Sequence, residues 1–182
     1  GIVDKKKILY KNKIKKNNII LAVPSSGLHS NGYSLVRYIL KKKKINLKKN
    51  NFLKKKLLEP TKIYSREIES LLQKNLINGC ANITGGGIID NIKRVIPKNL
   101  CANINLDYIK TYKIFKWLKS QGINDKEMLK TFNCGVGFCL IIDPKNINKI
   151  KNIFSKKHKP YKLGTIIMNK NKVKIDGKIK WR

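Results

Sequence analysis

The residues best suited to chemistry lie in short stretches rich in glycine and hydroxyls. In Ser25-Ser26-Gly27-Leu28-His29-Ser30-Asn31-Gly32-Tyr33, three serine hydroxyls, one imidazole and one amide share a loop with two glycines. Glycine lets backbone N–H groups approach an anion, and a following helix N-terminus adds positive dipole. His29 can donate a proton or a hydrogen bond near neutral pH. Ser30 or Asn31 as a helix N-cap, with the glycines as turn residues, explains part of the pattern. It does not explain His29 beside paired serines.

A second stretch, Thr84-Gly85-Gly86-Gly87, runs into Asp90, Asn91 and Arg94. Consecutive glycines cost about 0.5–1 kcal/mol each against Ala in regular structure, so tight bending or ligand contact must justify them. No Gly-Lys-Ser/Thr follows, which excludes a Walker A loop. A threonine and glycines at a helix start suit phosphate binding, and a flexible turn is the plainer alternative. In Thr131-Phe132-Asn133-Cys134-Gly135-Val136-Gly137, Asn133 can hydrogen-bond a ligand, or the glycines can mark a bulge. No histidine is close to Cys134 in sequence, so a packed thiol is expected rather than a nucleophile. Glu59-Pro60-Thr61 with Tyr64 reads as a helix-initiating turn capped by Thr61.

The elements that must position these stretches follow from hydrophobic spacing. Ile19–Val23 is a wholly apolar strand stopped by Pro24, and Tyr33–Leu40 has helical spacing. Residues 41–50 read as the helix end and a solvated loop. Further helices are expected at 63–74, with Ile68, Leu71 and Leu72 inward, at 88–95, at 114–120 and after Pro144. Strands are expected at 101–106, 134–142, 161–167 and 172–175. Strands and helices alternate, but the last two strands are consecutive. That predicts an α/β (α+β) fold: a mixed β-sheet flanked by helices. Residues 1–18 read as a linker and incoming strand, and 19–182 as one domain. The start at Gly1 suggests a piece of a longer protein.

The formal net charge of +32 would suit nucleic acid or an acidic membrane. Yet Arg37, Arg66, Arg94 and Arg182 are the only arginines, and nucleic-acid readers favour the bidentate Arg fork. Lys, Asn and Ile are enriched together, as A/T-rich codons would produce. A basic nucleic-acid-binding module is therefore the competing reading, and no specific nucleic acid is expected. The four cysteines show no CxxC spacing, so reduced, buried thiols in a cytoplasmic protein are expected and no metal site. No 18-residue apolar run predicts a membrane span.

SSGLHSNGYSLVR at 25–37, LLEPTKIY at 57–64, ITGGGIIDNIKRVIP at 83–97 and MLKTFNCGVGF at 128–138 together resemble the aminoimidazole ribonucleotide synthetase family, the phosphoribosylformylglycinamidine cyclo-ligases. Order and spacing match the C-terminal domain, about half the family's usual length. The resemblance implies a ring closure in purine biosynthesis. ATP phosphorylates the formyl oxygen of formylglycinamidine ribonucleotide, the neighbouring nitrogen attacks that carbon, and phosphate leaves. It implies Ser25, Ser26, Gly27, His29, Ser30 and Asn31 as lining residues, among which His29 is the candidate catalytic group, for transition-state hydrogen bonding or proton transfer. It implies Thr84, Gly85, Gly86 and Gly87 on a phosphate, Asn91 and Arg94 supporting that loop, and Asn133 near substrate. ATP and Mg2+ would be held mostly by an absent N-terminal domain, and the full-length protein would be a homodimer. With only Asp90 and Asp125 in candidate loops, the chain should be inactive alone. The HSNGYSLVR stretch argues against relatives such as selenophosphate synthetase.

Overall fold

The computed structural model describes residues 2, 4, 5 and 8–181. Its centre is a six-stranded mixed sheet in the order β2-β4-β1-β5-β3-β6. The strands are β1 (Ile19–Pro24), β2 (Gly79–Asn82), β3 (Leu100–Asn105), β4 (Val136–Ile142), β5 (Tyr161–Met168) and β6 (Val173–Asp176). All neighbours are antiparallel except β3 and β6, which run parallel. The consecutive β5 and β6 therefore do not pair; β3 lies between them.

Among the described residues, seven α-helices accompany the sheet: α1 (Tyr33–Lys42), α2 (Asn51–Leu57), α3 (Ser65–Gln73), α4 (Gly87–Val95), α5 (Lys113–Ser120), α6 (Asp125–Thr131) and α7 (Ile147–Lys151). They cover both faces. Ile20, Ala22, Cys139 and Ile141 point into one core with residues of α1, α2, α4, α5 and α6. Leu21, Val23, Leu140 and Ile142 point into a second with Leu71 of α3 and Ile150 of α7. Side chains alternate across a strand, so a strand sandwiched on both faces must be apolar throughout. That is why β1 and β4 read as unbroken hydrophobic runs.

Three elements escape the sequence reading. Helix α2 lies where no element was expected, in a lysine-rich stretch, begun by the Asn50 side chain accepting from Leu53 N–H at 2.9 Å. Helix α6 is capped in the same way by Asn124, which accepts from Glu127 N–H at 2.8 Å. Strand β2 lacks β-branched residues. The expected strand at 134–142 starts two residues late, because Cys134 and Gly135 both take positive φ. Of the expected incoming strand, Gly1 and Val3 lie outside the described residues. Residues 8–18 hold a 3-10 turn at Lys11–Lys13 and no strand. No helix among the described residues is long and apolar enough to cross a membrane.

Candidate functional site

Topology brings the three glycine-bearing stretches to one end of the sheet. Strands β1 and β2 both run antiparallel to β4, which lies between them. Their last residues, Pro24 and Asn82, sit opposite Val136 and Phe138 near the start of β4. The loops leaving β1 and β2 and the turn feeding β4 are therefore neighbours.

Phe132 and Asn133 join the two glycine loops. The Phe132 ring fills the space a Cβ on Gly32 would need, and its carbonyl lies 3.3 Å from where one on Gly87 would sit. Gly32 and Gly87 have φ of +79° and +65°, so both positions need glycine for backbone and for space. Asn133 is fully buried. Its Nδ2 donates to the carbonyls of Gly27 and Leu28 at 2.9 and 3.1 Å. Its Oδ1 accepts from Ser25 Oγ at 3.2 Å and Gly135 N–H at 2.8 Å. Every polar position of that amide is used, so Asn133 shapes the first loop instead of touching a ligand.

The glycine loop of Thr84–Gly87 is supported in the same manner by Asn91. Its Nδ2 donates to the carbonyls of Gly87, Gly85 and Thr84 at 2.7, 3.2 and 3.3 Å. Its Oδ1 accepts from Thr84 Oγ1 and from Arg94. Gly86, the N-cap of α4, has no side-chain capping bond. The two loops meet where Asn31 Oδ1 lies 3.8 Å from the Cβ position of Gly85. Neither Ser30 nor Asn31 caps α1, whose N-cap is Gly32.

A strap over residues 60–64 closes the first loop from outside. Ser26 Oγ donates to the Pro60 carbonyl at 2.6 Å and accepts from Lys62 N–H at 3.2 Å. Ser30 and Thr61 hydroxyls are 3.1 Å apart. Thr61 thus bonds the loop and does not cap a helix; α3 starts after Tyr64. Tyr64 donates its hydroxyl to the Pro24 carbonyl at 2.9 Å, and Tyr112 to the Ser25 carbonyl at 2.8 Å. Ser25, Ser26 and Ser30 are accordingly held by the fold, which leaves His29, Asn31 and backbone amides as the groups free to meet a ligand.

His29 has φ of +59° and is 6% exposed. Its Nε2 accepts from Ser26 N–H at 3.2 Å, so the neutral ring carries its proton on Nδ1. Burial, and secondarily His158, lowers its pKa to about 4. At neutral pH it is a neutral hydrogen-bond donor, not an imidazolium acid. The ring lines a cleft of about 390 Å³ with Thr61, Lys62, Tyr64, Ser65, Asn82 and others. A smaller cleft of about 260 Å³ opens on Ser25–Gly27 and is rimmed by Lys56, Lys113, Lys157 and Glu59. Neither cleft is lined by Thr84–Gly87.

Other candidates fall outside. Asp125 pairs with Lys119 at 2.8 Å and accepts from Trp181 Nε1, so its carboxylate is already engaged. Cys134 is buried, donates to the Met128 carbonyl, and has its thiol pKa raised by burial, as a packed thiol requires. The cysteines are all free. Among the described residues, no group of three or more His, Cys, Asp or Glu gathers as metal ligands. Lys62 and Asn82 went unread in the sequence. The lysine is one of 42 Lys and Arg, and only the fold shows that it lines the same cleft as His29.

Residues 15–176 match the family described as AIR synthase related protein, C-terminal domain. The phosphoribosylformylglycinamidine cyclo-ligase of Streptococcus pyogenes serotype M28 (strain MGAS6180) is 40% identical over 172 residues, 92% of this chain and 50% of that protein. The same enzyme of serotype M12 (strain MGAS2096) is 39% identical over the same spans. The chain thus spans about half the length of these relatives. Among solved structures, thiamine-monophosphate kinase from Stenotrophomonas maltophilia K279a aligns with TM-score 0.67 at 13% identity, covering 98% of this chain and 56% of that one. E. coli HypE, a hydrogenase maturation protein, aligns with TM-score 0.61 at 12% identity, over 92% and 49%. T. maritima PurL complexed with FGAR aligns with TM-score 0.55 at 14% identity, over 100% and 28%. At such identities these structures speak for the fold alone. The family match over most of the chain, and the curated relatives at about 40% identity, place this chain in the AIR synthase related family, as its C-terminal domain.

Proposed function

We propose that this chain is the C-terminal half of a phosphoribosylformylglycinamidine cyclo-ligase. It would act with an N-terminal domain on formylglycinamidine ribonucleotide and ATP in purine biosynthesis, and the full-length protein would be a cytoplasmic homodimer. The observation that carries the reading is the meeting of Asn31 with Gly85. It brings the imidazole loop and the glycine loop together at one end of the sheet.

The chain's residues fit part of the required chemistry. The uncapped start of α4, behind Gly85 and Gly86, presents backbone amides and a positive dipole suited to a phosphate. His29, neutral at working pH, holds a hydrogen bond on the substrate through Nδ1–H as charge develops during cyclisation. ATP, when bound, supplies the phosphoryl group that turns the formyl oxygen into a leaving group. The residues described do not fit Mg2+, since no set of carboxylate or imidazole ligands gathers. The metal and most ATP contacts are therefore assigned to the N-terminal domain.

The test is an ADP-release assay with ATP and formylglycinamidine ribonucleotide. The chain alone should give no turnover, and the chain combined with its N-terminal half should. Full activity from the chain alone would defeat the division of labour. No activity from a well-folded complex would defeat the assignment.

A further inference from the structure

Two buried histidines meet at the joint between β1 and the imidazole loop. His29 belongs to the loop. His158 comes from a 3-10 turn, Lys156–His158, ahead of β5, and is only 9% exposed. A polar group buried to this degree needs a hydrogen-bond partner. Nδ1 of His158 lies 3.2 Å from the Pro24 carbonyl. A carbonyl only accepts, so Nδ1 carries the proton. Tyr64 donates its hydroxyl to the same oxygen at 2.9 Å. Pro24 ends β1 and has no N–H, so its carbonyl is the one backbone group that can be bonded to fix this residue. Ser25 and the rest of the loop follow directly.

The joint reaches His29 through Tyr64. A Cβ on Gly137 would strike both the Tyr64 hydroxyl and Cε1 of His29, so the two groups stand side by side over that glycine. Their ring centres are 6.1 Å apart. The two imidazoles differ in their response to acid. Protonation of His29 breaks its bond from Ser26 N–H, because Nε2 is the acceptor. Protonation of His158 leaves its bond intact, since Nδ1 donates in both charge states. A charge on His158 also opposes a charge on His29. The other charged groups around His158 are Lys62 and Lys157, which disfavour its protonation, and Glu67, which favours it.

We propose that His158 is a positioning residue for His29: with Tyr64 it holds the Pro24 carbonyl, and so sets where the imidazole loop leaves the sheet. It touches no reacting atom in this role. Its charge, once acquired in acid, also defers protonation of His29. The effect on the loop follows from the bonds alone, and the effect on turnover rests on the cyclo-ligase reading.

The experiment compares His158→Asn with His158→Gln. Asn places an amide N–H where Nδ1 stands, whereas Gln places its own where Nε2 stands. Long-range proton–nitrogen NMR spectra of the isotopically labelled chain read the tautomer and the titration of His29 directly. In the parent and in His158→Asn, His29 should stay in the Nδ1–H form. In His158→Gln, both tautomers should appear. Both variants should raise the pH at which His29 takes its proton, because the opposing charge is gone. With the N-terminal half present, His158→Gln should lower kcat about tenfold or more, while KM changes less than about twofold. His158→Asn should restore most of kcat and move the acid limb of the pH profile to higher pH. Equal losses of kcat in the two variants would overturn the proposal. So would a His29 ring unchanged in tautomer and titration beside a lowered melting temperature, the mark of a packing role. Should His158→Gln fail to fold, Tyr64→Phe removes the other donor to the Pro24 carbonyl; an unmixed His29 tautomer there overturns the proposal equally. Failure of the cyclo-ligase reading looks different: no form turns over formylglycinamidine ribonucleotide, while His158→Gln still changes the His29 ring.

Discussion

The backbone N–H of Ser26 donates to Nε2 of His29 at 3.2 Å, inside a single loop. That bond exists only while the imidazole is unprotonated, and burial already lowers the ring's pKa from 6.5 to about 4. The unfolded chain takes up a proton below about pH 6.5, and the folded ring resists until about pH 4. Stability should therefore fall as pH drops through this window and level off below it, by about 2 kcal/mol once screening at the cleft edge is allowed for. His158, whose pKa is also lowered, adds to the same slope. His29→Asn is the informative variant, because Asn tolerates the positive φ at this position. Melting temperature against pH should show a shallower slope for it. An unchanged slope would remove His29 as the source.

Asn133 gives a second prediction, about architecture. Asn133→Ala deletes bonds to Gly27, Leu28, Ser25 and Gly135 in a fully buried place. Stranded buried carbonyls and N–H groups cost about 1–3 kcal/mol each, with partial relaxation, so a total near 3 kcal/mol is expected. Denaturant unfolding reads the loss. Amide exchange should quicken first across residues 25–31, since that loop loses its anchor. Uniform quickening over the sheet would mean that Asn133 supports the fold at large.

How much of this was legible in the sequence depends on where each signal resides. The apolar run of β1 announced a strand, and the structure shows why it is apolar throughout: it is buried on both faces. The caps Asn50 and Asn124 were present in the sequence, as were Leu53 and Leu57 at helical spacing. They were hidden by the lysines around them, whose abundance blurs amphipathic contrast. Strand β2, Gly-Cys-Ala-Asn, has no β propensity of its own and forms because β4 offers an edge. The glycine loops were visible as composition, but the division of labour within them was not. Ser26 and Ser30 look like ligand-binding hydroxyls until Pro60 and Thr61 are seen opposite them. Such pairings across more than thirty residues are made by the fold and leave no local trace.

Glycine substitutions should separate folding from function. Gly85 does not take positive φ, and a Cβ there would meet only Asn31 Oδ1 at 3.8 Å. Gly85→Ala should fold with a melting temperature close to that of the parent, yet crowd the junction of the two loops. Cyclo-ligase turnover of the assembled enzyme should drop about tenfold or more if backbone there must approach a phosphate. Gly137→Ala should do the reverse. Its Cβ would strike the Tyr64 hydroxyl and approach His29 Cε1 at 2.7 Å. Loss of the Tyr64–Pro24 bond and of close packing should cost about 2–3 kcal/mol. Normal stability for Gly137→Ala would show that Tyr64 can move aside freely.

The charge of +32 gives a prediction that bears on the competing nucleic-acid reading. Lysines over the surface attract any polyanion, so duplex DNA should bind at low salt. Counterion release then makes affinity fall steeply, by about 10³-fold or more between 50 and 200 mM salt if six or more phosphates are engaged. Sequence should not matter, because Arg37, Arg66 and Arg94 are scattered over α1, α3 and α4 and form no base-reading row. Fluorescence anisotropy with two unrelated duplexes checks both points. A preference above tenfold for one duplex at 150 mM salt would mean that the lysines do more than follow composition. Equal, salt-labile binding would leave the loops around His29 as the place where this chain discriminates among ligands.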